Sequence, residues 1–323
     1  MQQQPTGQFV PFPSQRGPLP VGWQPTVPVL VPLVPPPCLV PRTVPALVDE
    51  GVRVVRRDIG LFASAAAFTV IPAHLLSAFV STLFTPFNPF DPATYARVNA
   101  HAAVTTNATV TFAIAVIAAV VTLAIQTLGT GALVTIAGLR ALNQPCTLST
   151  AYAHARRRYW SLLSASLLSI LVVGAVTAFT FSIGAPFALF LYVSWQLAPQ
   201  AVVLEERRAR AGLARSNRLV RGSWWRLAGM LIIVGILRLF AAAVPGGLGF
   251  LIAGFTSSED LLGGDAGVVL LAVIASLVDV LMMPIAVTVS TLFFSDLRLR
   301  REGFDIDLLL QRGVAERAAR GTA

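Results

Sequence analysis

The sequence predicts an all-α, polytopic transmembrane helix bundle with six spans and amphipathic helices on its inner face. Three observations predict it. Only 12% of the 323 residues are charged and 55% are hydrophobic, whereas a soluble domain carries about 25% charged residues. Six apolar runs each approach the ~20 residues that take a helix across ~30 Å of hydrocarbon. The arginines, which account for all 24 Lys and Arg residues, gather at one set of span ends.

The elements follow in order. Residues 1–44 hold 12 of the 22 prolines. Proline lacks the backbone N–H and fixes φ, so this stretch reads as a disordered or polyproline II cytoplasmic tail. It serves as a tether or as a docking peptide for a protein partner. Prolines interrupt each of its apolar runs, so no signal peptide is visible and the first span must act as an uncleaved insertion signal. The membrane domain covers residues 45–298. Its spans are expected at 60–84, within 104–139, at 159–181, at 185–204, from 224 onward and at 267–294. The second is expected to loosen at Gly129-Thr130-Gly131, and the fifth to weaken at Pro245-Gly246-Gly247. Residues 299–323 form a C-terminal cytoplasmic tail.

Charge sets the orientation. Of the 24 arginines, 22 lie before span one, between spans two and three, between spans four and five, or after span six. The opposite loops hold only Arg97, with Asp91, Glu259, Asp260 and Asp265. The positive-inside rule places the arginine-rich side, and both termini, in the cytoplasm of a cell-membrane protein. The net charge of +9 then suits anionic lipid. Nucleic acid is set aside because the apolar content demands a bilayer. Cys38 and Cys146 make no metal pattern and no disulfide framework, and no cofactor is expected.

Short amphipathic stretches precede the odd-numbered spans. Val48, Val52, Val55 and Ile59 share one helix face, as do Leu148, Tyr152, Ala155 and Tyr159, and then Leu213, Asn217, Val220 and Trp224. Shifts of 100 and 165 residues superpose the three sets and carry Arg56 onto Arg156 and Arg221. The expected unit is an interfacial helix followed by two spans, repeated three times in parallel. The candidate anionic-lipid contacts are Arg56, Arg57, Arg156, Arg157, Arg158, Arg218, Arg221 and Arg226.

Four residues form a candidate intramembrane polar site: Arg238, Asp279, Gln196 and Gln200. Charges at membrane depth are costly and pair, or else face water. Arg238 and Asp279 read either as a substrate or ion site or as a structural salt bridge. Gln196 and Gln200 lie one turn apart around Pro199. They read as part of a broken-helix site or as interhelical hydrogen bonds. His74 reads as a simple helix contact, because no acid lies near it in the sequence. The glycines at 129, 131 and 138, and at 246, 247 and 249, suggest close packing or a bend. No nucleophile elbow, zinc motif or paired acidic cluster of a catalytic kind is present, so no enzyme activity is expected.

Three passages carry a family resemblance: RTVPALVDEGVRVVRRDIGLF before span one, LAPQAVVLEERRARAGLARSNRLVRGSWWRLAG around spans four and five, and FFSDLRLRREGFDIDLLL after span six. Over about residues 42–312 the chain resembles the membrane domain associated with bacterial glycerophosphoryl diester phosphodiesterases, in its stand-alone six-span form. The resemblance implies a membrane bundle of undefined activity, without the catalytic barrel of the full enzymes. Glu205, Arg215, Ser216, Arg218, Arg221, Gly222, Trp225, Glu302, Gly303, Phe304 and Asp305 match it. Asn217 stands where the family usually has Trp. Two functions follow as expectations. The first is a non-enzymatic scaffold, sensor or accessory subunit at an anionic inner leaflet. The alternative is a small transporter or channel built on the charged and glutamine-bearing spans.

Overall fold

A computed structural model describes residues 42–83, 108–180, 184–255 and 265–302. The proline-rich tail as far as residue 41, both arginine-poor loops with Arg97 and Glu259, and residues 303–323 lie outside the described residues. The helices are α1 (Val44–Arg57), α2 (Ile59–Leu83), α3 (Ala108–Ala141), α4 (Leu148–Arg157), α5 (Tyr159–Thr180), α6 (Ala185–Trp195), α7 (Ala198–Leu204), α8 (Ala209–Val220), α9 (Trp224–Phe255) and α10 (Asp265–Glu302). No strand occurs among the described residues. Six stretches are long and apolar enough to cross a membrane, in α2, α3, α5, α6 with α7, α9 and α10. The chain is a membrane-spanning helical protein.

Each amphipathic stretch is a helix of its own, separated from the span that follows. Asp58 breaks α1 from α2, Arg158 breaks α4 from α5, and Arg221-Gly222-Ser223 breaks α8 from α9. The spans therefore start at Ile59, Tyr159 and Trp224, which are related by the same shifts of 100 and 165. The match extends into the packing. Gly51, Ala151 and Ser216 are all buried, as are Val55, Ala155 and Val220. Phe62, Leu162 and Leu227 are buried one turn into each span.

The buried stripe differs slightly from the face read in the sequence. In α1 it runs through Leu47, Glu50, Gly51, Val54 and Val55, while Val48 and Val52 are half-buried and Ile59 is exposed. The cause is steric. Gly51 sits on α10, where an added Cβ would lie 2.4 Å from Val289 Cγ2. That contact turns the helix until its glycine faces the neighbour.

Three other expectations need correction or refinement. α3 stays helical through Gly129 and Gly131, because Gly129 packs directly on Thr69 of α2, 2.0 Å from where a Cβ would sit. α9 stays helical past Pro245 to Phe255, since a proline-freed carbonyl in a span can be satisfied by local adjustment. Gly247 meets nothing within 4 Å, so it is not a close-packing site. Span four does break as expected. Pro199 cannot donate to Trp195, and the chain parts between α6 and α7 at Gln196 and Leu197. Ser216 of α8 repairs the gap: its hydroxyl accepts from Leu197 N at 3.2 Å and donates to Ser194 O at 2.7 Å.

The core lies towards the arginine-rich ends of the spans. Leu197, Leu227, Met230, Val289, Phe293 and Leu297 form one cluster. Phe62, Val70, Leu133, Ile136, Ala151 and Val280 form another. Farther along the spans the surface is apolar and exposed at Phe68, Phe79, Ile117, Leu171 and Phe240. Such an area is too large for a soluble surface and suits lipid tails.

Candidate functional site

Away from the arginine-rich ends, the bundle holds a polar triad on three spans. α2 and α10 pack closely, with Val280 among Ala66 and Val70. Each carries an internal proline, Pro72 and Pro284. This contact brings His74 to Asp279, with Nε2 to Oδ2 at 3.0 Å. From α9, Arg238 donates to the other oxygen, with Nη2 at 2.5 Å and Nε at 3.1 Å from Oδ1. The two carboxylate oxygens are thus divided between two donors, and His74 carries its proton on Nε2 when it donates to the ionised acid.

The expected meeting of Arg238 and Asp279 therefore occurs. Twelve residues of α9 separate Arg226 from Arg238, about 18 Å, while 17 residues of α10 separate Asp296 from Asp279, about 26 Å. The long guanidinium arm spans the difference. The Arg238 side chain is 50% exposed, against 24% for His74 and 22% for Asp279.

Two residues of the expected site do not join it. No hydrogen bond or ion pair among the described residues links Gln196 or Gln200 to the triad. Gln200 is buried, and its Oε1 has no partner among the described residues. His74 replaces them. Its partner lies 205 residues away, so proximity in sequence could not reveal it. His154 reaches Val203 O at 3.2 Å, which fixes α4 to α7.

At the arginine-rich ends, acids gather arginines. Asp296 is 2% exposed and accepts from Arg226 at 2.7 Å, Arg300 at 2.9 Å and the Arg42 backbone N–H at 2.9 Å. Arg226 also lies 5.4 Å over the Phe293 ring. Glu205 accepts from Arg215 at 2.8 Å and Arg207 at 3.0 Å, with Arg298 at 3.4 Å. Arg215 also binds Glu302. Burial pushes the Glu205 carboxyl up, but its hydrogen bonds from Arg215 and Arg207 and the nearby charges outweigh this and hold it below the usual carboxylate range.

These pairs split the candidate lipid contacts. Arg226 is committed to Asp296, and Arg158 pairs with Glu206, so neither is a free surface cation. Arg56, Arg156, Arg157, Arg218 and Arg221 are exposed, and their side chains have no ion-pair partner among the described residues. Arg208 and Arg210, outside the expected set, share that condition. Arg57 is exposed and reaches only Asn143 Oδ1, at 3.5 Å. Trp160 and Trp225, each the second residue of its span, are 77% and 83% exposed. Among the described residues no three His, Cys, Asp or Glu side chains are grouped to hold a metal.

Residues 185–297, from α6 into α10, match the model of a family described as Domain of unknown function (DUF7847). No curated protein and no solved structure matches the chain.

Proposed function

We propose that this membrane-spanning protein acts without catalysis, as a scaffold or accessory subunit held against the anionic inner leaflet of the cell membrane. One observation carries the reading. Arg226 and Arg215 are held by the acids Asp296 and Glu205, while Arg56, Arg156, Arg157, Arg218 and Arg221 are exposed and have no ion-pair partner among the described residues. Trp160 and Trp225 at the starts of their spans suit the headgroup level, where amphipathic rings collect. The three short helices then lie in the inner interface, and both termini are cytoplasmic. The resemblance to the membrane domain of glycerophosphoryl diester phosphodiesterases supports the same reading, since that domain is a bundle apart from the catalytic barrel.

Each basic residue near an anionic surface contributes about 1 kcal/mol. Anionic phospholipid should therefore be enriched in protein extracted with mild detergent, relative to the host membrane, and salt should reduce the enrichment. Native mass spectrometry and lipid analysis measure both. A retained pool with the composition of the host membrane overturns the proposal.

A second reading, a small transporter or channel, is favoured by the His74–Asp279–Arg238 triad, because ionisable groups at membrane depth often mark ion or proton pathways. Proton flux in proteoliposomes that Asp279→Asn abolishes would favour it. Tight vesicles would oppose it.

A further inference from the structure

The first junction contains a polar hollow that the packing leaves open. It has a volume of about 130 Å³ and is lined by Arg53 and Arg57 of α1, Asp58 of the break, and Arg140 and Asn143 at the end of α3, with Glu50. That is room for about four waters at ~30 Å³ each, or for one tetrahedral oxyanion.

Comparison of the repeated junctions shows what is missing. In units one and two, the second residue after the second span has left-handed φ, +57° at Asn143 and +53° at Glu206. Each meets an arginine of its own unit's first junction. In unit two, Glu206 brings a carboxylate to Arg158. In unit three, Arg301 is satisfied by the carbonyls of Arg218 and Arg221 and by the Ser223 hydroxyl. In unit one, Arg57 finds only the neutral amide oxygen of Asn143, at 3.5 Å. Arg140 Nε is buried and donates no hydrogen bond, although Asp58 lies 3.3 Å away. Asp58 thus pairs with Arg140 in charge but not in a well-aligned hydrogen bond, so a further oxygen acceptor at that buried N–H would be favourable.

The charge balance favours an anion. Three guanidinium groups face two carboxylates; Arg53 is paired with Asp49 and Glu50 and Arg140 with Asp58, while Arg57 has no carboxylate partner among the described residues. The C-terminus of α3, which would repel an anion, is closed. Asn143 N–H donates to Arg140 O at 3.0 Å and Gln144 N–H donates to Leu139 O at 2.9 Å, the pattern that covers a helix's last carbonyls.

We propose that this hollow binds a phosphate group, from a phospholipid headgroup or a soluble phosphate ester, with Arg57, Arg140 and the Asn143 amide as donors. The lipid form of the proposal rests on the inner-leaflet reading above and gives it one defined site. Arg57 is exposed, so Arg57→Gln should leave the fold intact. Asn143→Asp keeps a residue that tolerates left-handed φ and supplies an internal carboxylate in competition with the ligand.

The test uses the full chain in two arms. In detergent, inorganic phosphate is titrated at constant ionic strength and thermal stability is followed. In nanodiscs of phosphatidylglycerol and phosphatidylcholine, native mass spectrometry counts the phospholipid that survives activation. Wild type should show saturable binding in at least one arm. Arg57→Gln and Asn143→Asp should each weaken it by about tenfold or more. A lipid-only result assigns a headgroup, and a phosphate-only result assigns a soluble ester. The double variant Arg156→Gln, Arg157→Gln should lower total anionic lipid yet keep the saturable site. If that site persists while bulk anionic enrichment is absent, the leaflet reading fails alone. No saturable binding in either arm overturns the site, as does wild-type binding in both junction variants.

Discussion

Removal of Asp279 is the sharpest perturbation of the triad. Its two oxygens serve two donors on two other spans, so Asp279→Ala strands a guanidinium and an imidazole at membrane depth. Losing one side of a buried ion pair costs about 3–5 kcal/mol. Arg238 is half-exposed, and interhelical hydrogen bonds in membranes average only about 0.6 kcal/mol, so about 2–3 kcal/mol is expected here. Arg238→Ala should cost less, about 1–2 kcal/mol, because Asp279 keeps its bond from His74. The double variant Arg238→Ala, Asp279→Ala should lose less than the sum of the two, with a coupling of about 1 kcal/mol or more. Equilibrium unfolding in mixed micelles, followed by helix content, measures all three. Strictly additive losses would refute the pairing and with it the triad as a unit.

Three further outcomes follow from the packing. Gly51→Ala should destabilise the protein by about 1–3 kcal/mol through overpacking against Val289, and adding Val289→Ala should restore much of the loss in the same assay. Ser216→Ala should cost about 1–3 kcal/mol, because the broken span loses the hydroxyl that serves Leu197 N–H and Ser194 C=O; unchanged thermal stability would contradict that role. Glu205 has a depressed carboxyl pKa, so its contribution is present above the unfolded value near pH 4.5 and is lost as pH falls through the folded value. Thermal stability should fall over that acid range, and Glu205→Gln should flatten the slope while lowering the plateau.

The spans were legible because length and apolarity alone decide them, and the junctions because Arg56, Arg156 and Arg221 keep one register. The breaks at Asp58, Arg158 and Ser223 fall on that register too. The exact buried face of α1 was not legible, since a glycine contact on Val289 rotates it and periodicity treats glycine as neutral. Which arginines are free was not legible either. Arg226 and Arg218 read alike in the sequence, and only the approach of Asp296 from α10 separates them. The partner of His74 was not legible for the same reason: its acid comes from the last span.

Orientation in the membrane decides which leaflet the exposed arginines meet. Reporter fusions placed after Ala323 and in the loop at Glu259 measure it. A cytoplasmic signal is expected at the first and an external signal at the second. An external C-terminus with a cytoplasmic Glu259 loop would place the arginine-bearing helices on the wrong leaflet and contradict the proposed function.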